Sequence, residues 1–228
     1  WLFQAYEIAM ARERLIDFDD QKLRSYMSIS SDASLLSTIQ GLYDEVIVDE
    51  FQDINKLDFV FVREVAAKAC LVVTGDDDQA IYGFRGCTPD YIIDLERHLE
   101  RKCGSYELQI NYRCPANLMN HARRLIENNS RRIKKTPVSK REGKCAITIA
   151  STLTASLEAK SVAAYIKKVV RDNAGLAHKD VAVLYRTNAQ SLPLQVEFVL
   201  NRIPYFVRSE DNILENEVLE RLLGVLRL

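Results

Sequence analysis

Short apolar runs alternate with longer amphipathic segments along most of the 228-residue chain. The first two runs are DEVIVDE (44–50) and ACLVVTGD (69–76), and each has a continuous apolar stretch, typical of a strand buried on both faces. A segment with helical spacing, 55–69, separates them. Strands that alternate with helices of this length indicate βαβ units, so the sequence predicts an α/β fold with a parallel sheet.

The same alternation continues to residue 201. Apolar residues near helical spacing predict helices at 1–41, 89–100, 115–128, 154–172 and 188–201, and Asp17 is placed to cap one of them. Further strands are predicted at 106–110, 144–151 and 180–186. The periodicity breaks at ERKCGS, near residues 101–104, so we expect two α/β units of roughly 100 residues each.

Cysteine spacing, charge and hydropathy exclude several classes of protein. The five cysteines are scattered without a C-x-x-C pair, which argues against a disulfide framework or a zinc site and suits a reducing cytosol. The net charge is −1, so any attraction to a polyanion must be local. No run of about 18 apolar residues and no signal peptide is visible, and we expect a cytoplasmic protein without a membrane span.

An acidic pair, Asp49-Glu50, follows the first apolar run directly. In doubly wound sheets, ligands bind at the carboxyl ends of the strands. One carboxylate there can hold Mg²⁺ against nucleotide phosphates, and a second can orient and deprotonate an attacking water. The alternative, that two acids simply leave a strand into solvent, stays open on this stretch alone.

The second run ends in an unusually dense polar segment, VVTGDDDQAIYGFRG (72–86). Gln79 can hydrogen-bond both a phosphate oxygen and a neighbouring water, and so report whether a terminal phosphate is present. Tyr82 and Phe84, interleaved with Arg85, are typical of a stacking platform for unpaired bases. The alternative is that the two rings are core aromatics of a short helix.

Together the two stretches are more specific than either alone. VDEFQD followed by GDDDQAIYGFRG resembles motifs II and III of the UvrD/Rep/PcrA type of superfamily 1 DNA helicases. The resemblance continues, in the family's order, over nearly the whole chain. The further matching segments are LIDFDD (15–20), LQINYRCP (108–115, similar to motif IV), VAVLYRTNAQS (181–191), IPY (203–205) and LERLLGVLRL (219–228).

This resemblance implies the P-loop NTPase fold, with RecA-like parallel sheets flanked by helices and parts of two RecA-like domains. Residues 42–102 would form the C-terminal part of the first domain, with motifs II and III. Residues 103–210 would form the second domain, from motif IV onward. Residues 1–41 would be a helical segment returning from an insertion into the first domain, and 211–228 would start an inserted helical subdomain.

The resemblance also implies roles at a nucleotide. Asp49 would hold Mg²⁺, and Glu50 would activate the hydrolytic water. Gln79 would sense the γ-phosphate of ATP. Arg113 would reach that phosphate from the second domain as an arginine finger, and Tyr112 would lie along the nucleotide base.

On the nucleic-acid side, Phe84 stands where the family has an aromatic that stacks on single-stranded DNA, with Tyr82 and Arg85 beside it. Arg186 and Asn188 fall in a segment near either the cleft or the DNA, and the sequence leaves these two options open.

The function implied by the resemblance is that of an ATP-dependent DNA helicase, an ATP hydrolase that uses ATP and Mg²⁺. It would move 3′ to 5′ on single-stranded DNA and unwind duplex. Expected partners are single-stranded/duplex-junction DNA and repair or replication proteins, with no membrane, at the nucleoid if the source is bacterial. Two other interpretations stay open: a non-hydrolysing DNA- or partner-binding module derived from a helicase, and the helicase subunit of a helicase–nuclease.

The chain departs most from the family pattern by an absence. It contains no G-x-x-x-x-G-K-[ST] phosphate loop, which we expect to precede Trp1, as we expect the late motifs to follow Leu228. The chain alone is therefore expected to be an inactive part of a longer protein. The tract 123–144 holds nine Lys and Arg against two Glu, and is predicted either to contact phosphates or to be a solvated loop.

Overall fold

The computed structural model describes residues 1–208. The chain divides into two compact units, Trp1–Cys145 and Ala146–Leu228, of which the second is described as far as Arg208. The helical subdomain predicted at 211–228, with the matching segment at its end, lies outside the described residues.

The compact units do not follow the break in periodicity near 101–104. Residues 105–145, beyond this break, lie in the first unit, where Arg132 pairs with Asp78 and Lys135 with Asp77. The domain boundaries that the family resemblance implies stay a prediction.

Three helices open the chain, as the sequence predicts for residues 1–41. They are α1 (Leu2–Glu13), α2 (Phe18–Ser31) and α3 (Ala33–Gln40). Asp17 caps α2 by accepting a hydrogen bond from the amide of Asp20 at 2.7 Å. Asp32 caps α3 in the same way through the amides of Ser34 and Leu35.

The first sheet consists of two parallel strands, which confirms the predicted α/β fold with a parallel sheet. Strand β1 (Glu45–Val48) pairs along its length with β2 (Cys70–Val73), and helix α4 (Lys56–Val65) lies between them in sequence. The expectation that these strands are buried on both faces is wrong for the described chain. Val48 and Val73 pack on the core, whereas Ile47, on the opposite face, is 65% exposed.

An aromatic cluster forms the core beneath this sheet. Phe51 and Phe59 are buried, and the ring of Phe59 stacks on that of Tyr91 with centroids 4.4 Å apart. The helix predicted at 89–100 is two short helices, α5 (Asp90–Ile93) and α6 (Leu95–Leu99). The backbone of Asp94 leaves the helical region between them, at φ −112° and ψ 38°.

A second parallel pair follows in the same unit. Strand β3 (Ile110–Pro115) pairs with β4 (Val138–Arg141), and α7 (Ala116–Ile126) connects them. The strand predicted at 106–110 is therefore displaced toward the C-terminus. Strand β4 was not predicted, because its residues VSKR carry almost no apolar signal.

The second unit packs two helices around a small core. Helix α8 (Ala155–Asp172) begins at the cap residue Thr154, and α9 (Ser191–Leu200) follows a short 3₁₀ turn. Their common core contains Ala163, Ile166, Phe198 and Ile203.

The strands predicted at 144–151 and 180–186 are wrong for the described chain, where neither segment forms a strand ladder. Val181 and Val183 pack against the core of the second unit, which explains the apolar signal of the second segment. Among residues 1–208, no helix combines the length and apolar character needed to span a bilayer.

Candidate functional site

The ends of β1 and β2 meet at one edge of the first sheet. Val48 pairs with Val73, so Asp49 and Thr74 are the next residues of the two strands. The amide of Thr74 donates to the carbonyl of Val48 at 2.9 Å, and its hydroxyl donates to Oδ1 of Asp49. Parallel pairing thus fixes the first carboxylate at the sheet edge.

Hydrogen bonds hold Asp49 in its charged form. The bond from Thr74, followed by that from the backbone N–H of Glu50, lowers the pKa of Asp49 below its ordinary value. Both bonds reach Oδ1, and the side chain is exposed.

An exposed carboxylate of this kind fits a Mg²⁺ ion that is shared with phosphate oxygens. Among residues 1–208, no group of three or more His, Cys, Asp or Glu side chains could hold a metal ion. Phosphate oxygens and water are the ligands that commonly complete the coordination shell of a Mg²⁺ ion held by one carboxylate.

The backbone turns sharply at Glu50. Its φ of 53° and ψ of 43° lie in the left-handed region, which is uncommon for a residue other than glycine. A 3₁₀ helix, Phe51–Asp53, follows at once, and the amide of Phe51 donates to the carbonyl of Thr74. The second carboxylate is thereby directed by a constrained turn that both strand ends hold in place.

A buried amide, Gln52, connects the two loops at this edge. Its Nε2 donates to Oε2 of Glu50 at 2.7 Å, and its Oε1 accepts from the amide of Asp76 at 3.0 Å. The residue is 1% exposed. A Cβ at Gly75 would lie 2.5 Å from Oε1 of Gln52, so a larger residue there would displace the Gln52 amide. The sequence pattern gives Gln52 no role, because its burial is apparent only in the folded chain.

Gln79 belongs to the same hydrogen-bond network. It ends the 3₁₀ helix Asp77–Gln79, and its Nε2 donates to Oδ2 of Asp76 at 2.7 Å. The network therefore runs from Glu50 through Gln52 and Asp76 to Gln79. Of the predicted site residues, the structure brings Asp49, Glu50 and Gln79 to one edge of the sheet.

Part of the basic tract neutralises the acidic loop. Arg132 makes a bidentate contact with Asp78: its Nε donates to Oδ1 at 2.8 Å and its Nη2 to Oδ2 at 2.6 Å. Lys135 contacts Asp77 and lies 2.5 Å from Oδ1 of Asp76. Neither prediction for the tract describes these two residues, because they are committed to ion pairs inside the chain instead of facing solvent or a phosphate.

An exposed aromatic segment follows the same loop. The rings of Tyr82 and Phe84 lie 6.0 Å apart with a 54° tilt, at the 3₁₀ helix Gly83–Arg85. The guanidinium of Arg85 lies 5.3 Å from the centroid of the Tyr82 ring and 5.8 Å from that of Phe84. Phe84 is 70% exposed, so it is not a core aromatic of a short helix.

Arg113 and Tyr112 lie on β3, in the second sheet of the same unit. Both are exposed, and the carbonyl of Arg113 accepts a hydrogen bond from Nη1 of Arg141 at 2.9 Å. Within the described chain, the Arg113 guanidinium makes no hydrogen bond or ion pair with Asp49 or Gln79. The predicted meeting of Arg113 with the sheet edge stays a prediction.

Arg186 and Asn188 lie in the second unit. The side chain of Gln190 folds back, and its Oε1 accepts hydrogen bonds from the amides of Arg186 and Thr187 at 2.8 and 3.0 Å. Asn188 begins the short 3₁₀ helix that these bonds stabilise. The predicted choice between cleft and DNA for these two residues stays open.

Comparison with known proteins gives the family. Residues 2–100 match the UvrD/REP helicase N-terminal domain, and residues 106–228 match the UvrD-like helicase C-terminal domain. DNA helicase II of Haemophilus influenzae is 34% identical over the whole chain. ATP-dependent DNA helicase PcrA of Staphylococcus aureus and of Staphylococcus epidermidis is 31% identical, also over the whole chain.

In each case the chain spans 31% of the length of the relative. Two family models therefore cover nearly all of the chain, in the order that the motifs predict. The chain belongs to the UvrD-like helicase family.

Proposed function

We propose that this chain is part of an ATP-dependent DNA helicase motor. The motor couples ATP hydrolysis to 3′-to-5′ movement on single-stranded DNA and to duplex unwinding, in DNA repair or replication. One observation carries the proposal: the acids after β1 and the glutamine after β2 share one sheet edge and one hydrogen-bond network. The names of the relatives, DNA helicase II and ATP-dependent DNA helicase PcrA, support the same activity.

In this proposal the two carboxylates have separate tasks. Asp49, ionised and exposed, would hold Mg²⁺, which when bound supplies positive charge to the nucleotide phosphates. Glu50 would orient the attacking water and accept its proton. Because Gln52 holds one oxygen of Glu50, the carboxylate keeps a fixed direction while the other oxygen stays available to water.

Gln79 has the hydrogen-bonding capacity that a phosphate sensor needs. A glutamine amide carries two N–H donors and one carbonyl acceptor. One donor is used by Asp76. The second donor can contact an oxygen of the terminal phosphate, and the carbonyl can accept from the attacking water.

Arg113 would complete the site from β3, and Tyr112 would lie along the base of ATP. An arginine finger of this kind is worth about 10³–10⁵ in kcat, because it stabilises charge that develops on the transferred phosphoryl group. Since the guanidinium is exposed here, this role requires a movement that closes the site. Such a movement would link hydrolysis to motion.

Binding of single-stranded DNA is assigned to the exposed aromatic segment, residues 82–85. Phe84 and Tyr82 would stack on unpaired bases, with Arg85 nearby to contact the backbone. Arg186 and Asn188 are assigned to the same task in the second unit. Stacking tolerates any base, which suits a motor that must move along every sequence. Repair or replication proteins are the proposed protein partners.

Replacing Phe84 by Ala in the full-length protein should separate ATP hydrolysis from unwinding. Loss of one stacked base removes about 1–3 kcal/mol of binding energy, and so weakens single-stranded DNA binding about 5- to 150-fold. The measurement is the number of base pairs unwound per ATP hydrolysed at saturating DNA, which should fall. Phe3→Ala is the control, because Phe3 is 72% exposed and lies on α1. A Phe84→Ala protein that unwinds with normal yield would refute the stacking role.

The isolated 228-residue chain should hydrolyse ATP at a negligible rate. Its sequence holds no phosphate loop, whose backbone amides and lysine provide much of the affinity for a triphosphate. The measurement compares phosphate release by this chain and by the full-length protein, each with and without single-stranded DNA. We expect DNA-stimulated release only from the full-length protein. Robust DNA-stimulated turnover by the chain alone would overturn this prediction.

A further inference from the structure

Three consecutive aspartates, Asp76–Asp78, precede Gln79, and two of them are largely withdrawn from solvent. The side chain of Asp77 is 2% exposed and that of Asp78 is 14% exposed. Three adjacent carboxylates repel one another, and burial makes each unpaired charge more costly. The loop therefore needs cations to hold this shape.

Lys135 supplies the central cation. Its ammonium group contacts Asp77 and lies 2.5 Å from Asp76 and 3.3 Å from Asp78. The backbone amide of Ile133 adds a hydrogen bond to Asp77 at 2.8 Å. Arg132 binds the outer carboxylate, Asp78, through two parallel bonds. Residues 132–135 thus close over all three acids.

The pKa shifts of Asp76 and Lys135 agree with an ion pair between them. Burial raises the pKa of Asp76, but hydrogen bonds from Lys135 and Gln79 outweigh it, and the pKa lies below its ordinary value. Burial lowers the pKa of Lys135, but its bonds to Asp76 and Asp77 outweigh it, and the pKa is raised. Both groups are therefore charged at neutral pH.

Asp76 connects this cation to the amide of Gln79. One oxygen of Asp76 meets Lys135, and the other accepts from Nε2 of Gln79 at 2.7 Å. The backbone N–H of Asp78 also donates to the first oxygen, at 3.1 Å. If the lysine charge were removed, repulsion from Asp77 and Asp78 would act on this oxygen of Asp76 against this longer bond alone, and we expect the carboxylate to turn away from them. Gln79 would then lose the acceptor that orients its amide.

We propose that Lys135 is a positioning residue for Gln79, acting through Asp76, so that the segment after α7 sets the geometry of the phosphate-sensing amide. This inference rests on the proposed function of Gln79. It also gives part of the basic tract a task other than DNA binding.

The position of Lys135 in the chain gives this contact a further consequence. Three residues after Lys135, β4 begins at Val138 and pairs with β3, the strand that carries Arg113. Arg141, at the end of β4, donates to the carbonyl of Arg113. The segment 132–141 therefore contacts both the loop of Gln79 and the strand of the proposed arginine finger. A shift of the second sheet would move Lys135 and so change the position of the Gln79 amide.

The test is a pair of substitutions in the full-length protein, each made in the wild type and in a Gln79→Ala background. Lys135→Met should lower kcat of DNA-stimulated ATP hydrolysis about 10- to 100-fold, with KM for ATP nearly unchanged, because a displaced group loses its effect on the transition state. Lys135→Arg keeps the charge and should retain most activity. Lys134→Met is the matched control, since Lys134 is the exposed neighbouring lysine. In the Gln79→Ala background, Lys135→Met should have no further effect on kcat.

Two outcomes would contradict this inference, and they distinguish failure of the positioning role from failure of the proposed function of Gln79. If Lys135→Met lowers kcat by the same factor in both backgrounds, Lys135 acts on stability or elsewhere, and the positioning role is overturned. If Gln79→Ala alone leaves kcat unchanged, the proposed function of Gln79 fails, and this inference fails with it. Should Lys135→Met not fold, Lys135→Met/Asp77→Asn removes one cation and one buried acid together and allows the same comparison.

Discussion

Replacing Glu50 by Gln in the full-length protein is expected to lower kcat for DNA-stimulated ATP hydrolysis by about 10²–10⁴-fold, the range for loss of a general base. The substitution keeps the size of the side chain and an oxygen that can accept the hydrogen bond of Gln52. It removes only the ability to take a proton. Nucleotide affinity should therefore stay nearly unchanged.

Glu45→Gln is the matched control for this experiment. Glu45 begins β1, five residues before Glu50, and is exposed at the opposite end of the same strand. The same change of charge there should leave kcat within the error of the wild type. Phosphate release gives kcat, and equilibrium binding of a fluorescent ATP analogue gives the affinity. An unchanged rate in Glu50→Gln would contradict the assigned role.

The second large effect is expected from Gly75→Ala. The added Cβ would lie 2.5 Å from Oε1 of Gln52, 3.0 Å from Cδ1 of Ile92 and 3.1 Å from the amide nitrogen of Phe51. The Phe51 contact is with backbone, and the buried side chain of Gln52 can give way only by leaving its hydrogen-bond partners. Overpacking of this kind costs about 1–3 kcal/mol of folding free energy.

Activity should fall further than stability in this variant. Displacement of Gln52 breaks its bonds to Glu50 and Asp76, and a shift of about 1 Å in catalytic groups costs on the order of 100-fold in rate. Thermal unfolding and phosphate release measure the two effects.

Gly41→Ala is the control for this experiment, because a Cβ at Gly41 would make only ordinary contacts at 3.5 Å. A Gly75→Ala protein with normal kcat would show that the Gln52 bridge does not position Glu50.

The sequence predicts the first sheet well, because its signals are local. Apolar runs before Asp49 and Gly75 mark β1 and β2, and the helical spacing between them marks α4. Asp17 also caps the helix it was expected to cap. In each case a few neighbouring residues carry the whole signal.

Elsewhere the signals mislead, because contacts distant in sequence decide the structure. Strand β4 is polar, and its pairing with β3 depends on backbone bonds and on Ser139, whose hydroxyl donates to the carbonyl of Cys114. Val181 and Val183 alternate like a strand, yet pack on a core between two helices. Alternating apolar residues indicate that one side of a segment is buried, but a segment can be buried in this way without forming a strand.

The candidate site shows the same division. Asp49, Glu50 and Gln79 could be predicted because they directly follow strands or stand in a dense polar loop. The contacts that connect these three residues could not be predicted from the sequence. Gln52 acts through burial, and Lys135 comes from a segment 56 residues after Gln79, so only the folded chain reveals either one.

The sharpest test of the proposed ATP site is a structure of the full-length protein with Mg²⁺ and a non-hydrolysable ATP analogue. We expect the terminal phosphate at the edge where β1 and β2 end, with Asp49 next to the metal ion. Gln79 should contact that phosphate, and Glu50 should lie about 2.6–3.2 Å from a water positioned to attack it. A nucleotide bound at another surface, with Glu50 and Gln79 both remote from its phosphates, would contradict the account.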